Sequence, residues 1–271
     1  MKYFPESLKV ENKDRFKNLV HRRYRTYLRR ALFEHVISHE ETDYFAFDKF
    51  INTSRDMKPP SMEDVRKLID ELIKDGFLKS PKLIEAFRKV DRYNFVISYL
   101  KNESYRNSPL AIGFGQTISQ PLTVAFMLEL LDVEEGQKVL DVGSGSGWTT
   151  ALLAEMVGEK GKVYGIEIIP ELYEFGKANV TKLGYIRKGI IEMICGNGYS
   201  GLKEFAPFDR ILCSASVEEI PSAFKDQLKV GGKMVLPIGN NLCLVVKNDE
   251  NGLEIVDEYP GFIFVPLVNR K

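Results

Sequence analysis

The sequence predicts an α/β fold, in which a mostly parallel sheet carries helices on both faces, preceded by a small helical N-terminal region. From residue 117 onward, apolar runs of strand length alternate with runs of helical length, the order that is typical of a parallel sheet. Before residue 60 the chain is basic, and its apolar residues recur at roughly helical spacing, which indicates a separate helix. We therefore predict an N-terminal extension over residues 1–60 and a main domain over residues 61–271.

The N-terminal extension contains the predicted basic helix. Residues 13–30 carry eight Lys or Arg side chains against one acid, Asp14, and we expect the helix to continue to about His39. Its basic face is expected to be solvated while its apolar side packs on the main domain. A surface for nucleic acid or an acidic protein and a contact with a membrane surface remain open. His35 and His39 share one helical face, but no cysteine lies nearby, and we expect no metal site there.

Two helices are expected before the alternating region. Ser61, with Asp64 three residues later, forms a capping-box pattern that starts a helix over residues 61–74. A second helix is expected to begin at Pro81, because proline is well tolerated in the first turn of a helix. Residues 101–116 are rich in Asn, Ser, Pro and Gly, and we expect them to form a loop.

The remaining elements alternate along the chain. The predicted helices cover residues 120–131, 148–157, 170–183 and 219–228, and the predicted strands cover residues 138–143, 162–169, 191–196, 209–215 and 233–238. Residues 242–268 are expected to add two or three further strands, which we expect to pair antiparallel at one side of the sheet.

A glycine-rich turn follows the first of these strands and reads Asp141-Val142-Gly143-Ser144-Gly145-Ser146-Gly147. The backbone of such a turn can approach a ligand closely because glycine has no side chain, and the helix that follows offers free N–H groups. The spacing differs from the GxGxxG of dinucleotide sites and lacks the Lys-Ser/Thr pair of phosphate-binding loops. We therefore expect a ligand with a compact polar head, such as the methionine part of S-adenosylmethionine, with Asp141 serving its ammonium group through the local network. A tight turn without a ligand is the alternative.

Two other strand ends carry polar residues. Glu167 ends the second strand of this region, where an acid can accept hydrogen bonds from the hydroxyls of a ribose. Asn197 and Gly198 follow the third strand, and an asparagine amide can both accept from and donate to an adenine edge. The alternatives are an acid beside a helix N-terminus and an ordinary Asn-Gly turn.

Several short segments are similar to those of one enzyme family. They are SPLAIGFGQTISQP (108–121), KVLDVGSGSGW (138–148), APFDRI (206–211), EIP (219–221), QLKVGGKMVLPIG (227–239) and FVPL (264–267). The chain resembles the protein-L-isoaspartate O-methyltransferases from about residue 66 to residue 268. The resemblance implies a Rossmann-like, S-adenosylmethionine-dependent methyltransferase that esterifies the carboxylate of L-isoaspartyl residues in damaged proteins. The ester then collapses to a succinimide, which hydrolyses partly to normal aspartate.

The resemblance also implies roles for individual residues. Ser119 matches the family's catalytic serine, in a loop over the active site. With the strand-end residues above, the cofactor positions are Gln116, Thr117, Ile118, Ser119, Asp141, Val142, Gly143, Ser144, Gly145, Ser146, Gly147, Glu167, Asn197 and Gly198. The substrate positions are Ile112, Ser214, Ala215 and Ser216.

The chain departs from the family's usual residues at several positions. Asn107 and Asn197 stand where the family has Asp, Leu122 replaces a His or Tyr, and Ser214–Ser216 replaces a turn richer in alanine. These differences bear on the choice of substrate more than on the cofactor.

The expected chemistry needs no general base. A carboxylate acceptor has an ordinary pKa of about 4 and is already ionised at neutral pH, so methyl transfer requires mainly alignment. All three histidines precede residue 40, which is compatible with this reaction and excludes histidine-dependent chemistry in the main domain. Ser119 would orient the acceptor by donating a hydrogen bond, and it could also cap the helix predicted over residues 120–131.

Three other functions are weighed against this one. The first is a nucleic-acid methyltransferase guided by the basic helix, although the fourth strand ends in CSASVEEIP rather than the aromatic motif of base-amine methylation. The second is a related enzyme that methylates aspartate in one dedicated peptide, recognised by residues 1–60. The third is a module that binds S-adenosylmethionine without catalysis.

Composition indicates a cytoplasmic protein. Lys plus Arg and Asp plus Glu are both 38 in 271 residues, which favours no particular charged partner, and we do not expect nucleic acid to be one. No apolar run approaches the roughly 20 residues that span a membrane. The three cysteines, Cys195, Cys213 and Cys243, form no CxxC pair, and we expect free thiols in a reducing compartment. The sequence leaves the oligomeric state open.

Overall fold

The computed structural model describes residues 61–249 and 252–269. The predictions made for residues 1–60, which include the basic helix and the His35 and His39 pair, lie outside the described residues. Within the described ranges, none of the helices has both the length and the apolar character needed to cross a bilayer.

A seven-stranded sheet forms the centre of the fold and confirms the predicted fold class. The strands are β3 (Lys138–Val142), β4 (Lys162–Glu167), β5 (Ile191–Cys195), β6 (Phe208–Cys213), β7 (Leu228–Ile238), β8 (Asn241–Lys247) and β9 (Leu253–Pro260). Their order is β5-β4-β3-β6-β7-β8-β9. The first five of these are parallel, and β8 and β9 add to the sheet as antiparallel strands. Strands β3 and β4 read as continuous apolar runs because helices cover both faces of the sheet.

Six helices surround the sheet in the described ranges. They are α1 (Met62–Lys74), α2 (Pro81–Lys89), α3 (Pro121–Leu131), α4 (Trp148–Val157), α5 (Pro170–Lys182) and α6 (Ser222–Gln227). All residues of α3 are buried, as expected for a helix that is apolar all round and packs within a core. The predicted helix over residues 219–228 was too long, since Pro221 is extended (φ −55°, ψ 134°) and β7 already begins at Leu228.

The prediction of a loop over residues 101–116 was wrong. A short helical turn, Ser98–Glu103, is followed by a β-hairpin whose strands are β1 (Leu110–Gly113) and β2 (Gln116–Ile118). Leu110 pairs with Ile118 in an antiparallel register. The strands have only four and three residues, too few for an alternation pattern to be recognised in a stretch so rich in glycine and proline.

Ser61 and Asp64 form the predicted capping box of α1.

A carboxylate of α3 fixes the N-terminus of α2. Ser80 precedes α2 but makes no capping bond with its side chain. Instead, Glu129 Oε1 accepts hydrogen bonds from the backbone N–H groups of Lys79 and Ser80, both at 2.7 Å. A buried carboxylate at a helix N-terminus is favoured by the free N–H groups and the helix dipole, so α2 is anchored to the helix that follows the hairpin.

Candidate active site

A cavity of about 930 Å³ opens at the carboxyl ends of the central strands. Strand β3 lies between β4 and β6 in the sheet, which is where the strand order reverses direction and where open α/β sheets bind their ligands. The predicted site residues that line this cavity are Ile112, Gln116, Thr117, Ile118, Ser119, Val142, Gly143, Ser144, Gly145, Ser146, Glu167, Asn197, Gly198, Ser214 and Ala215. Asp141, Gly147 and Ser216, which were also predicted, do not line it.

The glycine loop lies between β3 and α4 and has a backbone that favours glycine. Gly143, Gly145 and Gly147 have φ angles of +76°, +49° and +84°, in the left-handed region that other residues rarely adopt. Gly176 of α5 packs directly against this loop, since a Cβ atom there would lie 2.5 Å from the Gly145 carbonyl oxygen. Asn179, one turn later, donates a hydrogen bond to the Ser146 carbonyl at 3.1 Å. Sequence reasoning missed both α5 residues.

Asp141 lies beneath the loop rather than on the cavity surface. It is fully buried, and its Oδ2 accepts hydrogen bonds from the hydroxyls of Thr149 at 2.8 Å and Thr150 at 2.6 Å. Burial raises the pKa of the Asp141 carboxyl to about 6, although the hydroxyls of Thr150 and Thr149 oppose that rise, and nearby Glu167 adds to it. Oδ1 has no hydrogen-bond partner among the described residues. A positive charge on a ligand in the cavity would stabilise this carboxylate.

Glu167 holds two backbone N–H groups at the cavity floor. Its Oε2 accepts from Gly145 N at 2.9 Å, and its Oε1 accepts from Ile169 N at 3.0 Å. These bonds fix the carboxylate at the end of β4, where it is 6% exposed and lines the cavity. Each carboxylate oxygen can accept a further hydrogen bond, so the group is oriented for donors from a ligand.

Asn197 and Gly198 lie at the end of β5, as predicted. Asn197 Oδ1 accepts from Tyr199 N at 3.0 Å, and Asn197 Nδ2 donates to Asn269 Oδ1 at 2.9 Å. A Cβ atom at Gly198 would lie 2.7 Å from Val142 Cγ1, so the chain can pass here only without a side chain. Asn269 ties the C-terminal segment to the rim of the cavity. This contact could not be predicted from a local pattern, because 72 positions separate the two asparagines.

A buried arginine holds both ends of the hairpin. Arg92 is 2% exposed, and its guanidinium donates to the carbonyl oxygens of Ser104 (2.7 Å), Arg106 (3.3 Å), Ser108 (3.0 Å) and Ser119 (3.2 Å). Burial lowers the pKa of Arg92 to about 9. The bonds to Ser108 and Ser119 bracket β1 and β2, so one side chain fixes the base of the hairpin and the backbone of Ser119. Sequence reasoning missed Arg92 as well.

The prediction that Ser119 could cap α3 was wrong. The helix begins at Pro121, and its N-cap residue is Gln120, which makes no capping bond with its side chain. The N–H of Leu122 is instead satisfied by Asn107 Oδ1 at 3.0 Å. Ser119 is half-buried and lines the cavity. Asn107 therefore serves the N-terminus of α3 with an uncharged oxygen.

The turn after β6 contributes two of its three predicted residues to the cavity. Ser214 and Ala215 line it, whereas the Ser216 hydroxyl donates to the Gly239 carbonyl at 2.9 Å. Ser216 also pairs with Pro266 through the backbone, which brings residues 265–268 to the cavity wall. The Ser216 hydroxyl is thus bonded to the turn after β7 and lies outside the cavity lining, and its contact with substrate stays a prediction.

The charges of the cavity favour a cationic ligand. Among the described residues that line it, the only charged side chains are those of Glu167 and Glu171. The negative charges of a pyrophosphate would meet these two carboxylates, and no described lysine or arginine lines the cavity to offset them. The buried hydroxyl of Ser144 in the glycine loop has no hydrogen-bond partner among the described residues. An acidic cavity with a close-approach glycine loop and an unsatisfied hydroxyl fits the sulfonium and ammonium groups of S-adenosylmethionine.

The sequence of this chain is similar to those of known enzymes. The model of a family described as protein-L-isoaspartate(D-aspartate) O-methyltransferase (PCMT) matches residues 63–271. Protein-L-isoaspartate O-methyltransferase 2 of Archaeoglobus fulgidus is 43% identical over 207 residues, which cover 76% of this chain and 93% of the relative. Protein-L-isoaspartate O-methyltransferase of Thermococcus onnurineus is 42% identical over 218 residues, which cover 77% of this chain and 97% of the relative.

Solved structures agree with the sequence comparisons. A structure described as a protein-L-isoaspartate O-methyltransferase from Plasmodium falciparum, in complex with S-adenosyl-L-homocysteine, has a TM-score of 0.67 and 27% identity to this chain. The match covers 74% of this chain and 97% of that one. Another protein-L-isoaspartate O-methyltransferase has a TM-score of 0.68 and 30% identity, and the match covers 76% of this chain and 66% of that one.

Proposed function

The chain belongs to the protein-L-isoaspartate(D-aspartate) O-methyltransferase family, and from that premise we propose how its cavity carries out the reaction. The protein is an S-adenosylmethionine-dependent methyltransferase that esterifies L-isoaspartyl residues of damaged proteins. The observation that carries the residue assignments is the acidic cavity at the carboxyl ends of β3, β4 and β5, which has no described basic side chain on its wall.

The floor of the cavity is assigned to the cofactor. The loop from Val142 to Gly147 holds the methionine part, and Asp141 supports it from beneath through the hydroxyl of Thr149. Glu167 accepts hydrogen bonds from the ribose hydroxyls. Asn197 and Gly198 border the adenine, and Gln116 to Ser119 cover the cofactor from above. Bound S-adenosylmethionine supplies a methyl group on a sulfonium centre.

The acceptor is assigned to the space between the hairpin and the turn after β6. Ile112, Ser214 and Ala215 line that space, and the hydroxyl of Ser119 donates a hydrogen bond to the acceptor carboxylate. Arg92 holds the Ser119 backbone through the carbonyl oxygen, which fixes the point from which the hydroxyl reaches the acceptor. The acceptor is ionised at neutral pH, and this arrangement orients it without removing a proton.

We expect Glu167→Ala to weaken cofactor binding at least about tenfold. The substitution removes charge-assisted hydrogen bonds, each worth roughly 1.5–3 kcal/mol, and releases the N–H of Gly145. Calorimetry with S-adenosylhomocysteine on the folded variant measures the effect. Glu174→Ala is the matched control, because Glu174 is an exposed glutamate of α5 outside the cavity lining, and the cofactor affinity of that variant should stay within threefold of the parent. A Glu167→Ala protein that binds as tightly as the parent would place the ribose elsewhere.

The function is tested by comparing acceptors with the full-length protein. The substrates are an isoaspartyl peptide, the same peptide with ordinary aspartate, an RNA and a blank without peptide. Rapid methyl transfer to the isoaspartyl peptide alone is the expected result. Preference for the aspartyl peptide would instead indicate the dedicated-peptide function, methylation of RNA would indicate the nucleic-acid function, and cofactor binding without any transfer would indicate a binding module.

The remaining proposals concern the chain outside the cavity. We propose that residues 61–271 form the methyltransferase domain and that residues 1–60 are an extension that packs on it or recruits protein substrates. The match to the family begins at residue 63, in support of this division. The absence of a nucleic-acid partner and the cytoplasmic location stay predictions. The location was predicted in part from free thiols, and all three cysteines are free: Cys213 and Cys243 are buried, and Cys195 is exposed.

A further inference from the structure

The tip of the hairpin holds an aromatic residue in a conformation that favours glycine. Gly113, Phe114 and Gly115 have φ angles of +93°, +55° and +69°. Glycine adopts this region without steric cost, whereas a bulky residue there is rare and strained. Such strain persists mainly where the side chain has a use in binding or catalysis. The conformation of Phe114 therefore indicates that its ring has a binding role that a glycine could not fill.

Phe114 points into open space beside the cavity. Its side chain lines the cavity and is 58% exposed. A Cβ atom added at Gly113 or Gly115 would meet nothing within 4 Å, so the tip stands away from the rest of the fold and Phe114 carries its only side chain. An exposed large aromatic ring at the edge of a cavity is a favourable contact for an apolar group that arrives from solvent.

The position of this ring is set by a rigid base. Leu110 pairs with Ile118, and the Arg92 guanidinium bonds the carbonyl oxygens of Ser108 and Ser119 on the two sides of the hairpin. Ile112, earlier in the same hairpin, lies against the glycine loop, since a Cβ atom at Gly145 would be 3.3 Å from Ile112 Cδ1. The body of the hairpin thus covers the cofactor floor, and its tip extends beyond it.

We propose that Phe114 contacts the side chain next to the isoaspartyl residue of the substrate and makes the enzyme favour apolar neighbours over acidic ones. This inference rests on the proposed function. The ring supplies apolar surface for such a neighbour, and the wall of the cavity at Val265, Pro266 and Leu267 is apolar as well. An acidic neighbour would meet no described basic side chain on the cavity wall, where Glu167 and Glu171 are the charged groups.

The test uses three isoaspartyl peptides that differ only in the flanking residues, which are leucine, glycine or aspartate. For the unmodified protein we expect kcat/KM to be about tenfold higher with leucine than with glycine, the effect of removing part of one apolar side chain from water, and to be lowest with aspartate. Phe114→Gly should reduce this ratio to within about twofold, and Phe114→Tyr should keep it. Because glycine adopts φ +55° without strain, the melting temperature of Phe114→Gly should not fall.

Two measurements separate the proposal from other roles of the ring. Affinity for S-adenosylhomocysteine should stay within threefold in Phe114→Gly, and a larger loss would show that the ring covers the cofactor and would overturn the proposal. Ile255→Ala is the matched control, since Ile255 is an apolar side chain that is 45% exposed and lies outside the cavity lining, and it should keep the leucine preference. A preference that survives in Phe114→Gly, or equal rates for all peptides with the unmodified protein, also overturns the inference while leaving isoaspartyl methylation intact. Inactivity toward every isoaspartyl peptide contradicts the proposed function itself.

Discussion

Gly145→Val is expected to reduce affinity for S-adenosylhomocysteine by at least about a hundredfold, which corresponds to roughly 2.8 kcal/mol at 1.4 kcal/mol per decade. Gly145 has a φ angle of +49°, and its Cβ atom would lie 3.3 Å from Ile112 Cδ1. A β-branched residue cannot hold this conformation without strain, so the loop must shift. The shift removes the bond from Gly145 N to Glu167 Oε2 and fills the space assigned to the methionine part.

A valine substitution at a second glycine, away from the cavity, controls for the effect of backbone strain alone. Gly189 also has a positive φ angle, +73°, and a Cβ atom there would meet nothing within 4 Å; it lies outside the cavity lining. Gly189→Val should lower the melting temperature while keeping cofactor affinity within threefold of the parent. Calorimetry of both variants, after circular dichroism has shown that they are folded, decides the matter. Unchanged affinity in folded Gly145→Val would refute the assignment of the loop.

Ser119→Ala is expected to slow turnover on an isoaspartyl peptide by about 30- to 1,000-fold. Losing a hydrogen bond to a charged group in a site shielded from water costs roughly 2–4 kcal/mol of transition-state stabilisation, by analogy with oxyanion donors. Affinity for S-adenosylhomocysteine should change by less than about threefold, because the hydroxyl is assigned to the acceptor. Stability should be nearly kept, since the N-cap residue of α3 is Gln120 and Asn107 satisfies the N–H of Leu122.

The measurements are melting temperature, cofactor affinity and turnover on one preparation. Ser222→Ala is the control, because Ser222 is an exposed serine in the first turn of α6 and outside the cavity lining. It should match the parent in all three quantities. Turnover of Ser119→Ala within threefold of the parent would end the catalytic assignment.

The parallel part of the sheet could be predicted because strands that are buried on both faces are apolar along most of their length. Strands β3 and β4 are apolar runs bounded by polar residues and glycine, and α3 and α4 begin and end within about one residue of the predicted bounds. The hairpin could not be predicted in the same way. Its conformation depends on Arg92, whose hydrogen bonds reach partners 12 to 27 residues away, and no local pattern records such a contact.

Part of the candidate site could also be predicted, because some of its residues belong to local sequence patterns. The glycine loop and Glu167 are local features at strand ends, and the structure brings them together at the cavity floor. Gly176 and Asn269 act through neighbours that are distant in the chain, so only the fold reveals them. The motif did not predict the burial of Asp141. This acid is next to the glycines in the sequence, but its side chain is fully buried beneath the loop.

Isoaspartyl methylation is tested by locating the methyl group that the full-length protein transfers. An isoaspartyl peptide is incubated with S-adenosylmethionine and the protein, and tandem mass spectrometry then identifies the modified group. We expect a base-labile methyl ester on the free carboxyl of the isoaspartyl residue, with no product from the matching aspartyl peptide. A methyl group on a nitrogen or on the peptide terminus, or equal esterification of both peptides, would contradict it.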